Sequence, residues 1–401
     1  MMVGNPPFPS DRLLDAWARS GVELVMIMEG TRWLGRRDDL PGGTGFWRPD
    51  TDRYWRMGAY TPYRDPADRR DLVRLVSSAH RLGMKVVPYT APAEINPELP
   101  AFGRNFRQWR QQTVPGGGTV YHPTGNYPGA VWGALVCPDC PGVRRYYLGF
   151  VKRYLHDYDF DGIYVDLASK VYCHNTAHGP ARHGGMDGLW DALRRAREFL
   201  GPDKLLVAHN GDCNMMVALN NLADAAVTME ALNSAKDWRW NLRVIRPYIR
   251  AFPACPVLMI PKYQWYWTGT RAARTALADG VAKGALLGSV PFELDLYFEP
   301  PKWGYRDAYA ALRDPQGLWA MFRKLKALRL EGLRFDDCYS GAVRTNRRGV
   351  LGARYRNGRR QIIVLANIAD RTVRNIQWRC GPHRGALPGL RPAEYRFIVV
   401  R

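Results

Sequence analysis

A chain of 401 residues, with 46% hydrophobic and 12% aromatic content, can bury one large core and still carry a smaller appended domain, so persistent disorder is excluded as the expectation. Its formal charge of +21 raises nucleic acid as a partner, but the basic residues are spread over amphipathic stretches (Arg69, Arg70, Arg74; Arg194, Arg195, Arg197; Arg323, Lys324, Lys326) without a dense run interleaved with aromatics, so no nucleic acid is expected. No run of about 18 uninterrupted apolar residues is present, and Met1 to Trp17 has no basic segment leading into an apolar one, so no membrane partner is expected and the location reads as cytoplasmic, or secreted if a leader has been removed.

Short apolar, β-branched runs alternate with longer amphipathic ones about eight times, which predicts a (β/α)8 barrel, an α/β fold, over residues 1–334. The first strand is read at Val22–Glu29, followed by an aromatic loop through Trp33, Trp47, Trp55 and Tyr60. A helix opens near Pro66 and stops at Gly83, with Leu72, Leu75, Val76, Ala79 and Leu82 on one face. Lys85–Thr90 is the second strand, residues 102–111 a short helix, and Ala130–Val136 the third strand. Next come a helix over Val143–Tyr158, the fourth strand at Phe160–Asp166 and a helix over Gly188–Leu200. Leu205–His209, Ala225–Glu230, Pro256–Ile260 and Ser289–Glu293 are the fifth to eighth strands, with helices near 240–251, 271–287 and 318–328. From Phe335 onward short alternating runs flank turn signals, Asn357-Gly358 above all, which predicts a small antiparallel β-sandwich over 335–401.

Seven cysteines, an odd number scattered over a long chain, read as reduced thiols. Cys137-Pro-Asp-Cys140 has C-x-x-C spacing with no second matching pair. It is expected to lie where a strand gives way to a helix, with Asp139 or a neighbour capping that helix.

In such barrels reactive groups stand at the C-terminal ends of strands, and the strand ends here carry Glu29, Asp166, His209, Glu230, Lys262 and Glu293. Cleavage of a glycosidic bond needs two opposed carboxylates, one to protonate the leaving oxygen and one to attack the anomeric carbon or activate water. Asp166 and Glu230 are the best pair, because strands four and six belong to the same set of alternate strands. The bland reading makes either one an ion-pair partner of an Arg or Lys. A carboxyl separation of about 5–6 Å would imply retention, and about 6.5–9.5 Å inversion.

The segment Cys137-Pro, Tyr146-Tyr147 and Asp159-Phe-Asp-Gly-Ile-Tyr-Val-Asp166 resembles the approach to the fourth strand in the glycoside hydrolases that include the α-galactosidases and the related α-glucosidases. That resemblance implies a retaining glycosidase with Asp166 as nucleophile and a carboxylate ending the sixth strand, Glu230, as acid/base. Glu stands where the α-galactosidases use Asp, a pairing similar to that of the endo-α-N-acetylgalactosaminidases. The implied substrate is an α-galactoside or α-N-acetylgalactosaminide.

The expected sugar-binding residues are Glu29, Trp55, Tyr89, Lys170, His209, Asn210, Lys262, Tyr263, Trp265 and Glu293. Among them Lys262, Tyr263 and Trp265 place a cation and aromatic faces on one loop. His209 is expected either to bind a hydroxyl or to orient Asp166. No cofactor and no bound metal are expected. Two other readings stand beside this one: a metal-dependent hydrolase using Cys173, His174, His178 and His183, whose N and S donors suit Zn²⁺, and a carbohydrate-binding barrel without activity.

Overall fold

In the computed structural model, the described residues are 2–3, 8–27, 66–95, 99–118, 121–123, 131–166, 172–209, 222–228, 246, 257–259, 282, 284–288, 290–291, 318–329, 333–358 and 360–400. Their elements follow in the order β1 (Met2–Val3), α1 (Asp11–Arg19), β2 (Leu24–Ile27), α2 (Pro66–Arg81), β3 (Lys85–Thr90), β4 (Glu94–Ile95), α3 (Pro100–Trp109), β5 (Tyr121–Pro123) and β6 (Val131–Leu135). After these come α4 (Pro141–Asp157), β7 (Gly162–Val165), α5 (Met186–Leu200), β8 (Leu205–His209), β9 (Ala225–Thr228), β10 (Val257–Met259), β11 (Val290–Pro291) and α6 (Leu318–Leu328). The eight strands β1, β2, β3, β7, β8, β9, β10 and β11 are neighbours in that order, the strands of a (β/α)8 barrel.

The chain forms two compact units, the first comprising Met1–Asp15, Glu23–Ala226 and Leu296–Gly304, the second Ala16–Val22, Val227–Asp295 and Tyr305–Arg401. Within the first unit β1, β2, β3, β7 and β8 pair in parallel, one after another. The roster differs from the sequence reading while the count agrees. Met2–Val3 is the true first strand, and the run at 131–135 is not in the barrel at all. It is the centre of a small antiparallel sheet ordered β4-β6-β5. The two errors offset each other, so β7 is still fourth. Neither β1, only two residues long, nor α1 has a repeat long enough for periodicity to register. Ser10 caps α1, its side-chain oxygen and carbonyl both accepting from Leu13 N–H.

The excursion between β3 and α4 has its own apolar cluster: Ile95, Leu99, Phe102, Trp109, Ala134, Val136, Cys140 and Val143. Helix α4 then runs an edge-to-face ladder down its buried side, with Tyr147–Phe150, Phe150–Tyr154 and Tyr154–Phe160 centroids 5.1, 5.7 and 6.4 Å apart. Helix α5 buries Leu189, Ala192, Leu193, Ala196 and Leu200 at helical spacing and turns Arg194 and Arg195 outward onto Asp191 and Glu198.

Of the two capping alternatives read in the sequence, Asp139 or a neighbour, the structure takes the neighbour, and the carboxylate of Asp139 does not cap α4. It accepts from Gly185 and Gly188 N–H at 3.0 and 2.7 Å, filling the N-terminus of α5, while Cys140 occupies the α4 cap without a side-chain hydrogen bond. Gly188 is needed for this approach, since a Cβ there would lie 2.2 Å from the Pro138 carbonyl oxygen.

In the second unit residues 284–287 are helical, and the predicted helix at 240–251 lies almost wholly outside the described residues. Beyond α6 the chain turns antiparallel: β12 (Arg334–Asp336), β13 (Arg344–Thr345), β14 (Val350–Asn357), β15 (Arg360–Asn367), β16 (Val373–Cys380), β17 (His383–Leu390) and β18 (Tyr395–Val400). Sheets β12-β14-β15-β18 and β13-β16-β17 enclose Val343, Val350, Ile363, Leu365, Ile376, Trp378, Cys380 and Leu390, a β-sandwich. The hairpin predicted at Asn357-Gly358 is present, with Asn357 opposite Arg360 and Gly358 at φ 52°.

Candidate active site and a second side-chain cluster

The segment Asp159–Asp166 gives its three carboxylates three different surroundings. Asp159 is exposed at a positive φ of 48°. Asp161 accepts from Val86 N–H at 2.7 Å and sits 2.8 Å from His80 Nε2, while its carbonyl receives Leu205 N–H, so it ties β3, β7 and β8 together where β7 begins. Gly162 follows at φ 153°, and a Cβ there would meet the Leu205 carbonyl oxygen at 2.0 Å. Asp166 stands just past the other end of the strand.

Pairing register brings three more side chains to Asp166. Tyr89 lies opposite Tyr164, and Val165 opposite Ala208, so one step on Asp166 comes abreast of His209. Side chains in register on parallel strands share a face. The Tyr89 and Tyr164 rings stack at 5.6 Å, and Tyr164 and His209 lie 6.0 Å apart. Tyr89 OH donates to Asp166 Oδ2, and His209 Nδ1 lies 2.7 Å from Oδ1. An ionised carboxylate only accepts, so Nδ1 of His209 carries the proton of this contact. The Asp166 side chain is 18% exposed against 5% for His209, leaving the carboxylate reachable and its orienter enclosed. The opposite face of the strands is braced: Thr90 Oγ1 donates to the Tyr164 carbonyl, Tyr147 of α4 reaches Thr90 Oγ1 at 3.0 Å, and Asp166 N–H donates to the Thr90 carbonyl at 2.7 Å. Thr90 carries no charge at a strand end and gave no signal in the sequence, and Tyr147 entered there only as part of the 137–166 resemblance, with no role attached.

Asp166, Tyr89 and His209 thus converge. Glu29, Trp55, Lys170, Asn210, Glu230, Lys262, Tyr263, Trp265 and Glu293 lie outside the described residues.

A second group gathers in the loop after Asp166. Cys137, Cys173, His178 and His183 each present one donor atom, and all four atoms lie within 4.8 Å of one another. The membership departs from the sequence reading in two ways. His174 is absent from the group, its backbone N–H spent on the Gln112 carbonyl. Cys137 joins from before α4, while Cys140, its C-x-x-C partner, belongs to the apolar cluster. What could have found Cys137 is the count of Cys and His over 137–183, since no fixed spacing links the four. Hydrogen bonding to Cys137 holds the Cys173 thiol well below its ordinary range despite burial, helped by His178 and the backbone of Gln112 and Asn175, and the same bond together with burial pushes Cys137 up.

No family model matches the sequence. Over 205 residues the chain is 24% identical to the malto-oligosyltrehalose trehalohydrolase of Deinococcus radiodurans, a match covering 50% of this chain and 28% of that protein. The isomaltulose synthase of Klebsiella sp. LX3 superimposes with a TM-score of 0.64 at 10% identity, covering 100% of this chain and 98% of that one. The α-amylase of Geobacillus thermoleovorans in complex with acarbose gives 0.59 at 12% identity, covering 98% and 91%. At these identities the likeness carries the fold, the barrel followed by a β-sandwich.

Proposed function

We propose that the chain is a retaining glycoside hydrolase acting on α-linked sugars, with Asp166 as nucleophile and Glu230 as acid/base. The observation that carries this reading is the pair of hydrogen bonds on Asp166, one to each oxygen, at the C-terminal end of the fourth barrel strand. Both donors favour the ionised carboxylate, the form in which an Asp attacks an anomeric carbon. When the glycosyl–Asp166 ester is later hydrolysed, the same donors receive the charge returning to the leaving carboxylate. Glu230, ending the sixth strand in the sequence, would protonate the departing oxygen and then deprotonate the incoming water.

Two of the relatives named above are, by their names, a malto-oligosyltrehalose trehalohydrolase and an α-amylase. An α-glucoside is therefore the first substrate of this proposal, ahead of the α-galactoside and α-N-acetylgalactosaminide implied by the 137–166 resemblance. The division of labour proposed is a catalytic barrel over residues 1–334 with the sandwich, 335–401, appended to it.

The test is hydrolysis of nitrophenyl α-glucoside, α-galactoside and α-N-acetylgalactosaminide, with the anomer of the first product read by NMR. Turnover of an α-glycoside with retained configuration, lost by at least about 1,000-fold in Asp166→Asn, is the expected result. Undiminished turnover in that variant, or an inverted product, would sink the assignment. A parent chain that binds these sugars and turns over none of them supports the non-catalytic barrel instead.

A further inference from the structure

The chemistry proposed for Asp166 makes no use of Cys137, Cys173, His178 and His183. We propose that these four side chains form a closed, structural Cys2His2 site for one Zn²⁺ ion, pinning the loop that follows the fourth strand to the segment that precedes α4. Cys137 Sγ and His183 Nε2 are 3.3 Å apart, and Cys173 Sγ and His178 Nε2 3.5 Å. A tetrahedron with Zn–S near 2.3 Å and Zn–N near 2.0–2.1 Å has edges of about 3.3–3.8 Å, so shifts below about 1 Å complete it.

Both histidines are already set for the task. His178 Nδ1 faces the Gln108 carbonyl, and His183 Nδ1 faces the Pro180 carbonyl at 2.8 Å. A carbonyl only accepts, so each Nδ1 carries a proton and it is each Nε2 that faces the sulfurs, the usual outer support of a metal-bound imidazole. Cys173 and His183 are joined by reciprocal backbone hydrogen bonds of 2.9 and 3.0 Å, which close the ligand loop on itself. Asn175 N–H approaches Cys173 Sγ at 3.4 Å, and the Asn175 side chain donates to the Arg107 and Arg110 carbonyls at 2.8 and 2.9 Å, docking the loop on the end of α3.

The donor set selects the ion. Two thiolates and two neutral imidazoles around Zn²⁺ sum to zero charge, which suits the buried sulfurs, whereas Mg²⁺ and Ca²⁺ prefer oxygen. Four protein donors leave no position for water or substrate, so the site is structural rather than catalytic, and the metal-dependent hydrolase reading has no open coordination position here. Binding releases the thiol protons to solvent, with no redox step.

Metal analysis of the full chain, purified with zinc present and under reducing conditions, tests this without any measure of turnover. The expected result is about one zinc ion per chain. Replacement by Co²⁺ should give the thiolate-to-metal charge-transfer band and the intense visible bands of a tetrahedral S2N2 site. Cys173→Ser and His183→Gln should lose the ion, and His174→Ala and Cys140→Ala should keep it. The chelator-stripped chain should melt at a lower temperature and recover with Zn²⁺ but not with Mg²⁺. Only trace zinc together with no Co²⁺ charge-transfer band, full metal retention in the Cys137→Ser/Cys173→Ser double variant, or a Cys137–Cys173 disulfide in the freshly purified chain would each overturn the proposal.

Discussion

Asp166 is fixed by donors of different kinds, a phenol on β3 and an imidazole on β8, and removing either leaves the carboxylate one charge-assisted hydrogen bond short. Such bonds are worth about 1.5–3 kcal/mol, so Tyr89→Phe and His209→Gln should each lower kcat by about 10- to 100-fold. KM should change much less, because the carboxylate, not a sugar hydroxyl, is what these residues hold. Steady-state kinetics on the best α-glycoside checks this, and a change confined to KM would reassign both residues to substrate binding. His209 was legible as a strand-end imidazole. That Tyr89 serves Asp166 was not, since only the β3–β7 register aligns them.

At the scale of elements, the junction between 138–139 and the start of α5 is where one atom decides stability. Gly188→Ala forces a methyl group to within 2.2 Å of a backbone carbonyl, so it should destabilise by about 1–3 kcal/mol. Gly149→Ala, on the exposed side of α4 with nothing within 4 Å of the new methyl, should instead stabilise by about 0.5–1 kcal/mol. Urea denaturation of both variants provides the comparison, and equal effects would mean that the α5 junction yields without cost. The periodic helices α2, α4 and α5 were all readable, because a repeating apolar face is a local property. The run at 131–135 has the same alternating character as a barrel strand, and its true partners, at 94–95 and 121–123, are antiparallel neighbours that composition does not reveal.

For the whole molecule, the sandwich contains a group that ties stability to pH. Burial pushes the Asp336 carboxyl up, but hydrogen bonds from Arg354 at 2.6 Å and Arg356 at 3.0 Å outweigh it and hold the group below the ordinary carboxylate range. A carboxyl whose folded pKa is depressed contributes stability above its unfolded pKa of about 3.9 and loses it as pH falls through the folded value. Asp336→Asn should therefore lower the melting temperature at pH 7 and narrow its gap to the parent below about pH 4, read by calorimetry at both pH values. A gap that stays constant would show that the ion cluster contributes nothing. The sequence by itself determined the alternation of strands and helices, the antiparallel tail with its Asn357-Gly358 hairpin, and Asp166 at a strand end, because each is written in local periodicity or in a turn that demands positive φ. The tertiary structure decided which runs belong to the barrel, that Asp139 serves α5 rather than α4, and that Cys137 joins Cys173, His178 and His183. Those outcomes depend on groups far apart in the chain meeting at hydrogen-bond distance, and spacing along a sequence carries no record of such meetings.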